Sequence, residues 1–313
     1  MDKDTVCAWR HRVACHCRTV LLYFWHDLQV SECQLAELWS FVHTKEAHLP
    51  GAKIYCATYG DAWVWIAFAP VWRLVLAFVI GKRDQAGADL LLARVAHVTE
   101  DSMPLFTSDP WPAYRHALLH TYGEWYPPPR QGSRGAYLKP QRRPPPSLRY
   151  AQVVKRRVGG RIVAVSTRVV FGTPEAVAAS LAHSPVSSTV NTSFVERDNL
   201  TQRQSNRRFT RRTNGFSKDL TWFEKQLWLA LAHYHFVLPH KSLRERLPTP
   251  EPSRGAGSRR TWRPVTPAMA AGLTDHVWTT NELLAYRGPV EFLDQLHTIE
   301  HLFPEWNGVH HSN

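Results

Sequence analysis

Two acidic side chains stand where this chain could do metal-assisted chemistry, Asp109 and Glu196. Asp109 lies just past residues 103–107, a run that reads as a short strand ending at Ser108-Asp109, and open α/β sheets place their sites just beyond the carboxyl ends of strands. Glu196 stands near the front of a strongly basic stretch, residues 191–218. Carboxylates that converge from different elements can hold Mg²⁺ or Mn²⁺, hard ions that prefer oxygen ligands. Two such ions about 4 Å apart activate a water or a 3′-hydroxyl and stabilise the leaving oxygen of a phosphodiester. A site of this kind needs a third carboxylate on the first strand, facing the other two.

The basic stretch, NTSFVERDNLTQRQSNRRFTRRTNGFSK, reads as one polar helix entered through Asn191-Thr192-Ser193, with Gly215 as a break before Lys218. It carries Arg197, Asn199, Arg203, Arg207, Arg208, Arg211, Arg212 and Lys218, and almost nothing apolar enough to pack a core. A helix so poor in apolar residues is a solvated surface or a partner-binding face. As a binding face it suits polyphosphate, because arginine forks bind phosphate oxygens while Asn and Gln reach sugars and base edges. As a solvated surface it needs nothing beyond Glu196 and Asp198 as partners of its N-terminal dipole. Arg203, seven residues after Glu196, shares its face, whereas Asp198 points to a different side.

The rest of the chain must position these groups. It has 313 residues, 44% of them hydrophobic, with a formal charge of +12. That is enough for a sizeable core, and the charge favours nucleic acid or an acidic surface as partner. No run of eighteen apolar residues suggests a membrane span, and the first residues hold no signal-peptide core, so the expected location is the cytoplasm. Five cysteines form no disulfide framework; Cys15 and Cys17, near His11 and His16, lack zinc-finger spacing and read as ordinary thiols.

Residues 1–30 read as helical. Strands follow at 33–42, 63–70 and 73–81, the last two close enough to form a hairpin. Leu90, Leu91, Val95 and Val98 share one side of a helix over 84–99; the strand before Asp109 and a helix over 111–122 come next. A strand, a crossover helix and another strand form a parallel unit, so the sheet should be mixed. Residues 124–148 are a basic, Pro-rich loop. Strands at 150–158 and 161–171 meet at Gly159-Gly160, a hairpin signal. Thr173-Pro174 opens a helix running to His183. Residues 220–238 form a buried helix, 241–264 a linker or strap, and Thr266-Pro267-Ala268 opens one last small helix.

The stretches QLAELWSFV, AWVWIAFAPVWRLVLAFVIGKR, LFTSD, the basic stretch, LALAHYHFVLPHKSLR and VTPAMAAG occur in this order. Together they resemble the bacterial insertion-element-one transposases, the InsB-like group, over roughly residues 33–278. The resemblance implies an α/β, ribonuclease-H-like mixed sheet: three antiparallel strands, then parallel ones, flanked by helices, with a β-hairpin and Pro-rich insertion. It implies an Asp-Asp-Glu site binding Mg²⁺ or Mn²⁺, hydrolysis at transposon ends and 3′-hydroxyl strand transfer. It implies double-stranded DNA as partner, Arg203 touching that DNA near the site, and a working assembly of at least two copies. By position, Asp109 is the second carboxylate and Glu196 the third. The first belongs to a motif that reads here Ala36-Glu37-Leu38-Trp39-Ser40-Phe41-Val42, so a methyl group replaces it. Glu37 alternates to the opposite face of the strand and cannot take over. Asp61 precedes the second strand, away from this position.

The implied division is a helical remnant of a DNA-binding region at 1–30, a catalytic domain at 31–240 with an insertion at 124–172, and a strap, small helix and flexible tail at 241–313. Family members carry a Cys-rich zinc module and a helix-turn-helix ahead of the catalytic domain. Lys3 to Trp9 resembles only the last turns of a recognition helix, so sequence-specific recognition should be weakened. The expected activity is a DDE transposase impaired at Ala36; the alternative is a non-catalytic DNA-binding remnant or regulator. His233, His235 and His240 lack partnered ligand spacing, Trp63, Trp65 and Trp72 suit the core, and Ser108 has no histidine base beside it.

Overall fold

The computed structural model describes residues 2–49, 59–100, 102–128, 139–252 and 257–304. The chain runs through helix α1 (Lys3–Phe24), strands β1 (Glu32–Val42), β2 (Gly60–Ala69) and β3 (Leu74–Gly81), helix α2 (Gln85–Thr99), strand β4 (Leu105–Ser108) and helix α3 (Pro112–Tyr122). A short ribbon, β5 (Glu124–Tyr126) with β6 (Gln141–Arg143), precedes the long hairpin β7 (Arg149–Val158) and β8 (Arg161–Phe171). Helices α4 (Pro174–Ala182), α5 (Ser193–Ser205) and α6 (Leu220–Ala232) follow. A second ribbon, β9 (Glu245–Glu251) with β10 (Arg260–Arg263), leads to α7 (Pro267–Ala270), α8 (Thr280–Ala285) and α9 (Val290–Gln295).

Six strands form one mixed sheet in the order β3-β2-β1-β4-β7-β8. β1, β2 and β3 pair antiparallel, β4 lies parallel between β1 and β7, and β8 turns back antiparallel at the edge. The first three strands are nearly continuous apolar runs because both faces of the sheet are covered. α2 packs against β2 and β3 and against α3, and α5 lies across β1 and β2. Gly159 and Gly160 both take positive φ, 55° and 80°, as a two-residue hairpin turn demands.

Packing is close where α2 starts. Asp84 caps that helix, and Gly87 in its first turn faces Trp65, which stacks on Trp111 and donates its Nε1–H to Lys82 O at 3.2 Å. A Cβ at Gly87 would fall 2.6 Å from Trp65 Nε1. Gly87→Ala is therefore expected to destabilise the chain by about 1–3 kcal/mol, read as a lower urea midpoint at constant m-value.

Several expectations need correction. The polar helix is shorter than 191–218: α5 ends at Ser205, a 3₁₀ turn covers Arg207–Phe209, and the chain is irregular up to α6. It is also not solvated all round, since Val195, Asp198, Gln202 and Phe209 are buried. The hairpin read as part of an insertion extends the main sheet through β7. The Pro-rich loop contains the β5–β6 ribbon, with residues 129–138 outside the described ones. The strap forms the β9–β10 ribbon. α1 is one continuous helix packed on α6, with Ala14, Cys17, Val20 and Leu21 buried. Its second half therefore belongs to the core.

The tail, expected flexible, is held at least to Phe303, which is 1% exposed. Arg18 donates to Phe303 O, and Arg94 donates to Phe78 O and, at 2.8 Å, to Leu302 O, with its guanidinium over the Phe303 ring. Burial lowers the pKa of Arg94 to about 10. Residues 305–313 lie outside the described ones.

Candidate functional site

Strand alternation settles which side chains meet. Leu35 pairs with Ser108 and Gln34 with Thr107 across β1 and β4, so Gln34 and Ala36 share the face that carries Thr107 and Asp109. In β7, Val153 and Lys155 share that face too, because Thr107 pairs with Ala151. This is the face that α5 covers.

Two polar side chains from the sheet pin the start of α5. Gln34 accepts a hydrogen bond from Val195 N at 3.0 Å and donates to Asn191 Oδ1 at 3.1 Å. Thr107 Oγ1 donates to Asn191 O at 3.1 Å. Glu196 is thereby fixed above the C-terminal end of β4, and Thr192 Oγ1 donates to its Oε1 at 2.9 Å. Beneath Asp109, Ser108 Oγ donates to the Asp109 carbonyl at 2.6 Å and lies 2.6 Å from Tyr150 Oη, which accepts from Gln152 Nε2 at 2.7 Å.

Asp109 and Glu196 meet at one cation. Lys155 Nζ lies 2.5 Å from Glu196 Oε1 and 3.7 Å from Asp109 Oδ1. Burial opposes charge on Lys155, but its hydrogen bond to Glu196 and the neighbouring charges outweigh it and raise its pKa. The ammonium is therefore firmly protonated. Ala36 lies one residue beyond the Leu35–Ser108 pair, beside Asp109, and brings no oxygen. Glu37 is on the opposite face, where Arg83 donates to its Oε2 at 2.9 Å. Asp61 accepts from Glu46 N at 3.1 Å, tied to the loop after β1.

Mg²⁺ or Mn²⁺ does not fit the residues present. Two carboxylates face each other, the third position is a methyl, and a side-chain cation sits between the two oxygens that would ligate. Among the described residues no group of three or more His, Cys, Asp or Glu could hold a metal. Cys15 Sγ lies 3.6 Å from His11 Nδ1, one helical turn away, and burial raises the Cys17 thiol to about 12. His235 is a core residue, its Nε2 accepting from Val75 N at 3.1 Å, and burial pushes its pKa down to about 3.

The basic residues divide. Arg197, Arg207, Arg211, Arg212 and Lys218 are exposed. Arg203 is engaged within the chain: it donates to Phe209 O at 2.7 Å and to Trp39 O at 3.2 Å, and burial lowers its pKa. Arg208 donates to Ser217 Oγ at 2.9 Å, and its carbonyl accepts from Ser40 Oγ at 2.7 Å. Asn199 is half-buried. The arginine loop is thus stitched to the second half of β1, where Val42 also bridges Ser217. Its exposed cations project from an anchored turn.

Sequence reading missed Lys155, Gln34 and Thr107. Thr107 is the lone polar residue on its face of the apolar β4, which was an available signal; Gln34 shares its face with Glu32 and Ser40, and Lys155 lies among Arg149, Gln152, Arg156 and Arg157, so neither stands out locally. It also missed the β5–β6 ribbon, where Arg142 and Arg143 lie 4.9 Å and 3.6 Å over the rings of Trp125 and Tyr126. No family model, curated protein or solved structure matches the chain. No helix among the described residues is long and apolar enough to cross a membrane.

Proposed function

We propose that this chain is a DNA-binding protein of DDE-transposase descent whose metal centre is incomplete, so that strand cleavage and strand transfer are lost or strongly reduced. The observation that carries this reading is the meeting of Asp109 and Glu196 on Lys155, with Ala36 beside Asp109. Carboxylates this far apart in sequence converge at the end of a parallel strand in a sheet of three antiparallel strands followed by parallel ones, as a ribonuclease-H-like domain would place them. Lys155 takes part of the ion's electrostatic role by pairing with both carboxylates at the rim and offsetting half of their charge. It cannot polarise a phosphodiester and activate a water as a pair of divalent ions does.

What remains is phosphate recognition. Arg207, Arg211, Arg212 and Lys218 are exposed together on the anchored loop after α5, in a chain of net charge +12. Each phosphate contact releases counterions, so binding should fall steeply with salt. Double-stranded DNA is the partner this predicts, with two or more copies assembling on it in the manner of the resembled family.

Arg207→Ala combined with Arg211→Ala is expected to lower affinity for a short duplex and to reduce the slope of log K against log salt by about 2. Arg203→Ala is the contrast. Its side chain closes a turn, so its removal should lower stability and leave the slope alone. Anisotropy titrations over a salt series measure both, and an unchanged slope in the double variant would remove the loop from the DNA face. Incubation with supercoiled plasmid and Mn²⁺ tests the chemistry. Nicking that disappears in Asp109→Ala would show a working centre and overturn the incomplete-site reading.

A further inference from the structure

Across α5 from Glu196, a cavity of about 570 Å³ opens between α5, the β2–β3 turn, the π-helical turn His233–Val237 and the stretch leading into β9. Arg73 anchors it. This residue stands in the turn at φ 57°, a left-handed conformation that L side chains rarely adopt and that recurs at functional positions. Three interactions hold it there. Its carbonyl accepts from Tyr234 Oη at 2.9 Å, its Nε donates to Ser242 Oγ at 3.2 Å, and its guanidinium lies 4.1 Å over the Phe194 ring.

Another of its guanidinium nitrogens is informative. Arg73 Nη1 is buried and has no hydrogen-bond partner. A buried charged N–H calls for an acceptor, and the inward-turned Arg94 and Arg203 each find a backbone carbonyl. Arg73 instead borders an open space that Arg197, Lys241 and Arg244 also line. Asp198 is the one acidic side chain among the lining residues. Burial lifts its carboxyl to about 7, so it carries little charge below neutral pH. Phe68, Phe194 and Tyr234 supply an apolar, aromatic wall.

We propose that this cavity binds a nucleotide phosphate, with Arg73 and Ser242 donating to its oxygens, the other cations neutralising it, and the aromatic wall receiving the sugar or base. The volume lies in the range of small-ligand sites. The phosphate belongs either to a nucleic-acid strand, which rests on the DNA-binding reading above, or to a free nucleotide, which does not.

Arg73→Gly is the informative variant, because glycine adopts φ 57° without strain and keeps the turn while removing the guanidinium. Arg244→Ala removes an exposed cation from the same wall. The probes are 2′-deoxyadenosine 5′-monophosphate, a short single-stranded oligonucleotide and a short duplex, titrated against the full chain and both variants, with urea unfolding confirming an intact fold. Each variant is expected to weaken binding about tenfold, and to reduce the single-strand salt slope by about 0.7 for each phosphate no longer neutralised. Weakening confined to the mononucleotide identifies a free nucleotide as ligand; weakening of the oligonucleotide identifies a strand. Parent-like binding of every probe by both variants overturns the site. A chain that binds the duplex through Arg207 and Arg211 but neither smaller probe also lacks this site, while the proposed function stands.

Discussion

Asp198→Asn is expected to stabilise the chain by about 4 kcal/mol at pH 8.5 and to change little at pH 4. Asp198 is 3% exposed, its Oδ1 receives only a 3.4 Å hydrogen bond from Gln202 Nε2, and its Oδ2 has no partner. Burial raises its pKa from 3.8 to about 7, and the Gln202 bond pulls only weakly the other way. The sign follows from which state holds the proton. Below pH 3.8 folded and unfolded forms both bind it, and the side chain has no pH-dependent effect. Between 3.8 and about 7 the folded form keeps a proton that the unfolded form has released, so stability falls steadily as pH rises. Above about 7 the folded form is ionised as well, and the full penalty of an unpaired buried carboxylate remains. Asparagine has nearly the same shape and no proton to lose, so its stability curve should stay flat where the parent's declines. Urea unfolding of both proteins across this range measures the divergence. Parallel curves would mean that Asp198 is solvated or paired in solution.

The second large effect concerns the rim. Ala36→Asp together with Lys155→Ala is expected to bind Mn²⁺ much more tightly than the parent chain, followed by calorimetry or by Mn²⁺ resonance signal. The single Ala36→Asp variant should bind more weakly, because the Lys155 ammonium, 2.5 Å from Glu196 and 3.7 Å from Asp109, competes for the same oxygens. The added carboxylate would stand on the same face as Asp109, one strand over, about 4.8 Å away along the hydrogen-bonding direction. Asp109 and Glu196 are 60% and 51% exposed, so metal can reach them, and removal of the lysine should disturb the fold little. Identical Mn²⁺ behaviour in the parent and the double variant would show that the three positions do not converge in solution.

Much of the frame was legible because local patterns decide it. The apolar runs of β1 to β3, the Thr173 and Thr266 caps and the Gly159-Gly160 turn each carry their own physical signature, and the structure places strands, helices and hairpin there. The place of Asp109 at the end of a parallel strand followed from the order of elements. The position of Glu37 on the far face followed from alternation alone.

Other features depend on partners distant in sequence. Nothing near Arg203 says that its guanidinium will close a turn onto Phe209 and Trp39, and nothing near Phe303 says that Arg18 and Arg94 will clamp it. The end of α5 at Ser205 reflects the same thing. Asn206 caps the next turn through Arg208 N at 3.1 Å, and the arginine loop is drawn onto β1, an attachment that a longer solvated helix could not make. Amino-acid order by itself therefore determined strands β1 to β4, the β7–β8 hairpin, the Thr173 and Thr266 caps and the acidic residue at the strand end, because periodicity and backbone preference act over a few residues. Only the tertiary structure decided that Lys155 stands between the two carboxylates and that Asp198 is buried without a partner for its Oδ2, because charge pairing and desolvation depend on neighbours the fold brings from far along the chain.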